Sequence, residues 1–154
     1  MKVSTKSRYG VAAMVDIAQH HGAGPVALRS VAERQQVSEH YLEQLMSSLR
    51  NAGYVRSIRG AQGGYVLAKN PAQITVGDIV RAMEGPIAPV DCILAEKGPD
   101  NPYCAKSGEC IRRNIWLKMG ESITSALDSI SLASLCEEHQ QQTDVKEVKE
   151  RGEH

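Results

Sequence analysis

The sequence predicts a mainly α-helical fold carrying one small β-hairpin. Three observations lead there. The chain has no Phe and a single Trp among its 154 residues, although 42% of it is hydrophobic. A core must then be assembled from Leu, Val, Ile, Ala and Met, side chains suited to packed helices. Apolar residues recur at helical spacing along most of the chain, and one stretch shows two short β-prone runs around a glycine-rich tip.

Taken in order, Tyr9, Ala13, Met14, Ile17 and Ala18 mark a first helix over residues 8–20, ended by His21-Gly22-Ala23-Gly24-Pro25. Leu28, Val31 and Ala32 make a short second stripe. The pattern restarts at Ser38, a good N-cap; Val37 before it can staple onto Leu42, and Glu39 complements the positive end of the helix. Leu42, Leu45, Met46 and Leu49 form the apolar face of this third helix, and Asn51-Ala52-Gly53 stops it. Residues 54–59 and 64–67 then read as strands flanking Gly60-Ala61-Gln62-Gly63. Beyond Asn70-Pro71, Ile74, Val76, Ile79, Val80 and Met83 define a further helix with Thr75 as its cap. Helix, short helix, turn, helix, hairpin, helix is the order of a winged helix-turn-helix, and residues 1–84 are expected to form it.

Residues 85–110 follow as a loop with three cysteines. Ile111, Ile115, Trp116, Met119, Ile123, Ala126, Leu127 and Ile130 trace a long helix with no evident partner in its own domain, and Leu132, Leu135 and Cys136 a short one, so residues 111–139 are expected to be helical. Residues 140–154 are polar, lack a core pattern and are expected to be disordered. A long apolar stripe needs burial. A C2 pair supplies it, with Ile115, Trp116, Met119, Ile123 and Leu127 as the dimer contacts, and would present two reading helices to a palindromic duplex.

The formal net charge is zero, but residues 1–65 carry eight Lys and Arg against four Asp and Glu. The basic half is the candidate for nucleic acid. No apolar run approaches the roughly 20 residues of a membrane span, and the N-terminus has no signal-peptide core, so a cytoplasmic protein without membrane contact is expected. No phosphate loop, paired carboxylates or nucleophile–base pair emerges, which argues against an enzyme.

In such a fold the second helix of the pair enters the major groove while the hairpin reaches the minor groove or backbone. His40, Glu43, Gln44 and Ser47 are left on the outward face of that helix. Gln can pair with adenine, Glu can accept from cytosine, and Ser can serve either. Arg56 and Arg59 flank the glycine-rich tip, a setting for the minor groove or a phosphate, and Arg59 is the better placed. Lys2, Lys6, Arg8 and Arg50 suit phosphate anchoring. Ser38, Tyr41, Ser57 and Gly60 complete the candidate interface on the same elements. A winged helix used for protein contact would leave the same polar face merely solvated.

Three segments, Ser4-Thr5-Lys6-Ser7-Arg8-Tyr9-Gly10, Ser38-Glu39-His40-Tyr41-Leu42-Glu43-Gln44-Leu45 and Val55-Arg56-Ser57-Ile58-Arg59-Gly60-Ala61-Gln62-Gly63-Gly64-Tyr65, closely resemble the Rrf2 family of bacterial regulators. The resemblance runs through about residue 84 and resumes in the long helix. It implies a homodimeric winged-helix transcription regulator, mainly a repressor, whose long C-terminal helix crosses onto the partner subunit. It also implies sequence readout at Glu43 and Arg59, in agreement with the face analysis.

Cys92, Cys104 and Cys110 lie where cluster-binding members of the family place three cysteines. Thiolates are soft donors suited to iron–sulfur clusters or zinc. The resemblance implies an iron–sulfur cluster, a 2Fe-2S centre ahead of a 4Fe-4S one, sensing cluster, iron, redox or nitric oxide status. The sequence departs from the pattern in two ways. Eleven residues separate Cys92 from Cys104, a longer spacing, and Arg113 stands where those members carry a histidine ligand. The fourth ligand stays open among Asp91, Glu109, Asn114, a partner residue, a small thiol or solvent. Free redox thiols without metal are the plain alternative. Cys136 reads as core, and His20, His21, His139 and His154 are not assigned to the site. A second function reading is a cluster-free repressor of sulfur or cysteine metabolism, controlled by a partner enzyme acting as corepressor.

Overall fold

Local capping sets the helix starts. The Ser4 hydroxyl accepts from the Ser7 N–H and opens α1 (Thr5–Gln19). α2 (Leu28–Gln35) ends on Gln36, which takes the left-handed conformation at φ 55° and turns the chain toward α3 (Glu39–Asn51), opened by Ser38. β1 (Val55–Ile58) pairs antiparallel with β2 (Gly64–Leu67) in the register Val55 to Leu67 and Ile58 to Gly64. α4 (Val76–Glu84) begins with a complete capping box between Thr75 and Asp78. α5 (Arg113–Asp128) and α6 (Leu132–Gly152) follow, and single 3-10 turns occupy Pro71–Gln73 and Asp91–Ile93. These elements belong to a computed structural model that describes residues 2–152. It is mostly helical with one two-stranded sheet, the winged-helix layout expected. No helix among the described residues is long and apolar enough to cross a membrane.

The core is where the stripes point. Ala13, Met14 and Ile17 of α1, Val31 of α2, Leu42, Leu45, Met46 and Leu49 of α3, Val55 of β1 and Ile79 of α4 are buried together. Each large aliphatic side chain so removed from water contributes about 1.5–3 kcal/mol. Val26 forms an isolated antiparallel bridge to β2, exchanging two 2.9 Å backbone bonds with Tyr65. The approach is so close that a Cβ on Gly64 would run into the Val26 carbonyl. Polar ties fix the helices around this core. Arg34 of α2 donates from Nε and Nη2 to Asp16 of α1 at 2.8 and 2.6 Å. Glu84, ending α4, accepts from the Ser4 N–H at 2.8 Å and the buried Ser7 hydroxyl at 2.6 Å.

Three boundaries differ from expectation. The wing domain does not close at residue 84: Leu132, at the start of α6, is completely buried in its core, and Leu132 N–H and Val76 N–H bond to Ile74 and Ile130 carbonyls. α5 is not without a partner, since Asp128 at its C-terminal end is bonded to Arg81 of α4. The short last helix and disordered tail are replaced by one helix as far as Gly152. Residues 137–151 are rich in Glu, Gln and Lys and contain no Gly or Pro, so helix propensity carries them without a core. A Gln140 to Asp144 bond of 3.0 Å and basic Lys149 and Arg151 in the last turn support the helix. Glu153 and His154, the end of the expected tail, lie outside the described residues.

Candidate nucleic-acid interface

α3 turns Leu42, Leu45, Met46 and Leu49 completely inward, and its opposite face is left to His40, Glu43, Gln44 and Ser47. The first three are exposed and Ser47 is half-buried. They form a linked row: the His40 ring reaches the Glu43 carboxylate at 3.8 Å and the Gln44 amide at 3.4 Å. This row presents an imidazole, a carboxylate acceptor and an amide, groups able to pair with base edges. Ser38 is exposed, but its hydroxyl accepts from the Tyr41 N–H at 3.0 Å and so caps the helix. Tyr41 packs edge-on against Tyr9 of α1, ring centroids 6.0 Å apart. Arg50 is exposed in the last turn.

The wing turns between Ile58 and Gly64, with a 3.0 Å bond from Gly63 N–H to the Gly60 carbonyl. Arg59 and Gly60 are exposed on this tip and Ser57 is exposed on β1. Arg56 sits elsewhere. It lines a concavity at the base of the wing with His20, His21, Gly22 and Tyr65, so it does not flank the tip as its place in the sequence suggests. Lys2, Lys6 and Arg8 are exposed around the start of α1, where Arg8 donates to Thr5 Oγ1 at 3.2 Å. The N-terminal anchors, the α3 face and the wing tip are thus all open to solvent.

The cysteine loop is stitched by three buried polar side chains, of which the sequence marks Arg113 only by its place three residues after Cys110 and does not single out Asn101 or Ser107. Asn101 donates its amide to the carbonyls of Cys92 at 3.0 Å and Glu96 at 2.9 Å, while its Oδ1 accepts from the N–H groups of Tyr103 and Cys104. Ser107 donates to the Gly98 carbonyl and accepts from the Gly98 N–H. Arg113, buried, donates to the carbonyl of Cys92 and, at 2.8 Å, to that of Ala95, and its own N–H bonds to the Cys110 carbonyl. Arg113 therefore holds the loop by its backbone. The Asn101-Pro102 pair was the available signal, being turn chemistry that Asn supports by bonding to nearby backbone.

Cys92, Cys104 and Cys110 are all half-buried free thiols. N–H groups of Arg113 and Arg112 and the Arg112 guanidinium outweigh partial burial and hold the Cys110 thiol below its ordinary value. Among the described residues, no three His, Cys, Asp or Glu side chains converge on one point that could hold a metal ion. A cluster on the three thiols therefore does not fit the loop as folded. Cys136 packs against the core of the wing domain, and burial pushes its thiol up, with a smaller push from Glu137. His20 turns Nδ1 to the Asp16 carbonyl at 2.8 Å. On α5, Ile115 and Met119 are exposed and Trp116 is half-buried, whereas Ile123 and Leu127 line a cleft that also touches Val80 of α4.

Comparison with known proteins gives a consistent picture. The Rrf2 family model, described as an iron-dependent transcriptional regulator, matches residues 3–138. The HTH-type transcriptional regulator CymR of Bacillus subtilis is 47% identical over 135 residues, spanning 88% of this chain and 89% of that protein. IscR of Aliivibrio salmonicida is 39% identical over 151 residues, spanning 98% and 84%. The structure of B. subtilis CymR, the global cysteine regulator, superposes with TM-score 0.72 at 46% identity, covering 89% of this chain and 97% of that one. That of T. potens IscR does so with TM-score 0.73 at 46% identity, covering 92% and 90%.

Proposed function

Because the chain belongs to the Rrf2 family of transcriptional regulators, we propose that it binds duplex DNA as a homodimer at a two-fold symmetric operator, acting mainly as a repressor in the cytoplasm and catalysing no reaction. The observation that carries this reading is the exposed row His40, Glu43, Gln44 and Ser47 on α3, presented with the exposed wing tip at Arg59 and Gly60. Glu43 and Gln44 read base edges, Arg59 enters the minor groove or clamps a phosphate, and Lys2, Lys6, Arg8 and Arg50 anchor the backbone. The dimer is supported by α5, whose Ile115 and Met119 stay 57% and 39% exposed, with Ile111 at 85% beside them. A second copy would cover them. Selection of bound sequences from random duplex DNA tests the reading: an enriched inverted repeat supports it, and no enrichment overturns it.

The loop takes one of two inputs. The iron–sulfur reading is supported by three cysteines in one loop and by the family's description as iron-dependent. It requires the three thiols to be brought to one point. The cluster-free reading, with control by a partner protein, is favoured by the completeness of the bonds from Asn101, Ser107 and Arg113 and by 47% identity to CymR. Anaerobic purification from cluster-competent cells, with visible absorption and iron and sulfide analysis, decides between them. A coloured protein with stoichiometric iron and sulfide supports the first; a colourless, iron-free protein that reaches full operator affinity only with a partner protein, unaffected by Cys92→Ala, supports the second.

A further inference from the structure

At the base of the wing the chain encloses a concavity of about 260 Å³. One wall is the end of α1 and the turn after it, with His20, His21 and Gly22; the other is the hairpin, with Arg56, Tyr65 and Val66. Ile17 and Leu67, both buried, supply an apolar floor. The two walls are tied together, because the backbone bonds between Val26 and Tyr65, both 2.9 Å, join the segment after the turn to β2. A Cβ at Gly22 or Gly24 would meet nothing within 4 Å, so this rim leaves the mouth open.

The lining is one-sided in charge. Arg56 is exposed and forms no ion pair among the described residues, and no acidic side chain lines the concavity. The Asp16 carboxylate, 3.9 Å from His20 Nδ1, is buried and already taken by Arg34 at 2.8 and 2.6 Å. Carbonyls at the end of α1 are taken as well: Asp16 by His20 Nδ1, Ile17 and Ala18 by the His20 and His21 N–H groups, and His20 by the Ala23 N–H. These bonds blunt the negative end of the helix. A guanidinium fork with no carboxylate beside it is a receptor for an oxyanion.

His20 selects among oxyanions. Its Nδ1 lies 2.8 Å from the Asp16 carbonyl, which can only accept, so the neutral ring carries its proton there and leaves Nε2 as an acceptor. A carboxylate, a sulfate or the diester phosphate of DNA offers acceptors only and would set its lone pairs against that of Nε2. Inorganic phosphate keeps an O–H at neutral pH, and can donate it to Nε2 while its charged oxygens take both arms of Arg56. We propose that this concavity is a binding site for inorganic phosphate, with Arg56 and the exposed His21 ring as donors and His20 Nε2 as the acceptor of its O–H. The site is separate from the operator contacts, since Glu43, Gln44 and Arg59 do not line it.

Titration of the full-length protein with inorganic phosphate tests this, read by calorimetry and by the amide NMR signals of Gly22 and Gly24. It is done at about pH 8, above the ordinary imidazole value of about 6.5, where phosphate still carries an O–H. The parent should bind one phosphate with Kd at or below about 1 mM, both glycine signals moving as the site fills. Sulfate, equal in shape but without an O–H, should bind at least about tenfold more weakly. Arg56→Gln should weaken phosphate binding by about tenfold or more. His20→Asn, whose amide can take over the bond to the Asp16 carbonyl but offers nothing in place of Nε2, should erase the preference over sulfate. No saturable binding by the parent, or equal binding by Arg56→Gln, overturns the site. Sulfate binding the parent as tightly as phosphate overturns the assignment of the ligand. A parent blind to phosphate, with random-duplex affinity falling in Arg56→Gln, would make the concavity a contact for the DNA backbone and overturn the proposal too. Should Arg56→Gln melt early, Arg56→Lys, which keeps the charge and loses the fork, carries the same comparison.

Discussion

Truncating Leu132 to Ala tests whether the DNA-binding domain includes a residue from beyond the cysteine loop and α5. Leu132 opens α6, and its side chain is wholly shielded from water in the core, where α6 packs on α1 and the segment before Ile74. Its backbone N–H bond to the Ile74 carbonyl survives the substitution, so the change isolates packing. Removing a fully buried Leu side chain costs about 3–4 kcal/mol, from the lost transfer energy plus the cavity left behind. In a chain of this size that lowers the thermal midpoint by roughly 6–15 °C. The assay is thermal and urea unfolding followed by circular dichroism at one fixed protein concentration, because dimerisation would otherwise shift the midpoint. Val148→Ala on the same helix, where the side chain is 70% exposed, is the control and should stay within about 0.5 kcal/mol. A Leu132→Ala midpoint within about 2 °C of the parent would refute the packing of α6 into the wing domain.

Other substitutions probe the polar ties. Arg34→Ala leaves the Asp16 carboxylate, 6% exposed, without its two-pronged donor; with Arg34 itself 46% exposed, the loss should be about 2 kcal/mol in urea unfolding, part of it recovered in the Asp16→Asn, Arg34→Ala double variant. A loss under about 0.5 kcal/mol would show the pair to be only superficial. Gly64→Ala should weaken the Val26–Tyr65 bridge by forcing a methyl into the Val26 carbonyl, read as faster amide exchange at both residues; unchanged exchange would contradict that geometry. Two carboxyls give the acid limb. Asp78, raised by burial but held lower overall by Thr75 and Arg81, and Glu84, lowered by the Ser4 and Ser7 hydroxyls, both lie below their ordinary values in the folded chain. A depressed folded value stabilises above the unfolded value of about 4 and is lost as pH falls through the folded one. The thermal midpoint should therefore drop below about pH 4, and less steeply in Glu84→Gln; an identical acid limb in that variant would contradict the assignment.

The parts of this fold governed by rules acting over one or two turns were legible in the sequence. Ser38 and Thr75 cap helices because a side-chain oxygen three residues ahead of a free N–H can reach it, and Leu42, Leu45, Met46 and Leu49 face inward because a helix has 3.6 residues per turn. The outward row at His40, Glu43, Gln44 and Ser47 follows from the same periodicity. Contacts between distant segments left no such mark. Nothing near Leu132 says that its partner is the segment at Ile74, nothing near Asp16 points to Arg34, and nothing near Asp128 points to Arg81. In the cysteine loop, the bonds of Asn101 and Arg113 go to backbone carbonyls and carry no periodic signature, so the sequence marks Arg113 only by its place three residues after Cys110. The last helix has no core pattern along residues 137–151, and the helix propensity that carries it leaves no periodic signal.

Operator binding by the parent, Glu43→Ala and Arg59→Ala, measured by fluorescence anisotropy on the selected sequence and on its single-base variants, tests the DNA-reading assignment most directly. The account predicts that Arg59→Ala weakens specific binding by about 1–3 kcal/mol and that Glu43→Ala relaxes discrimination at one base pair per half-site by a similar amount, both variants melting like the parent. Unchanged affinity and unchanged base preference in both would contradict it.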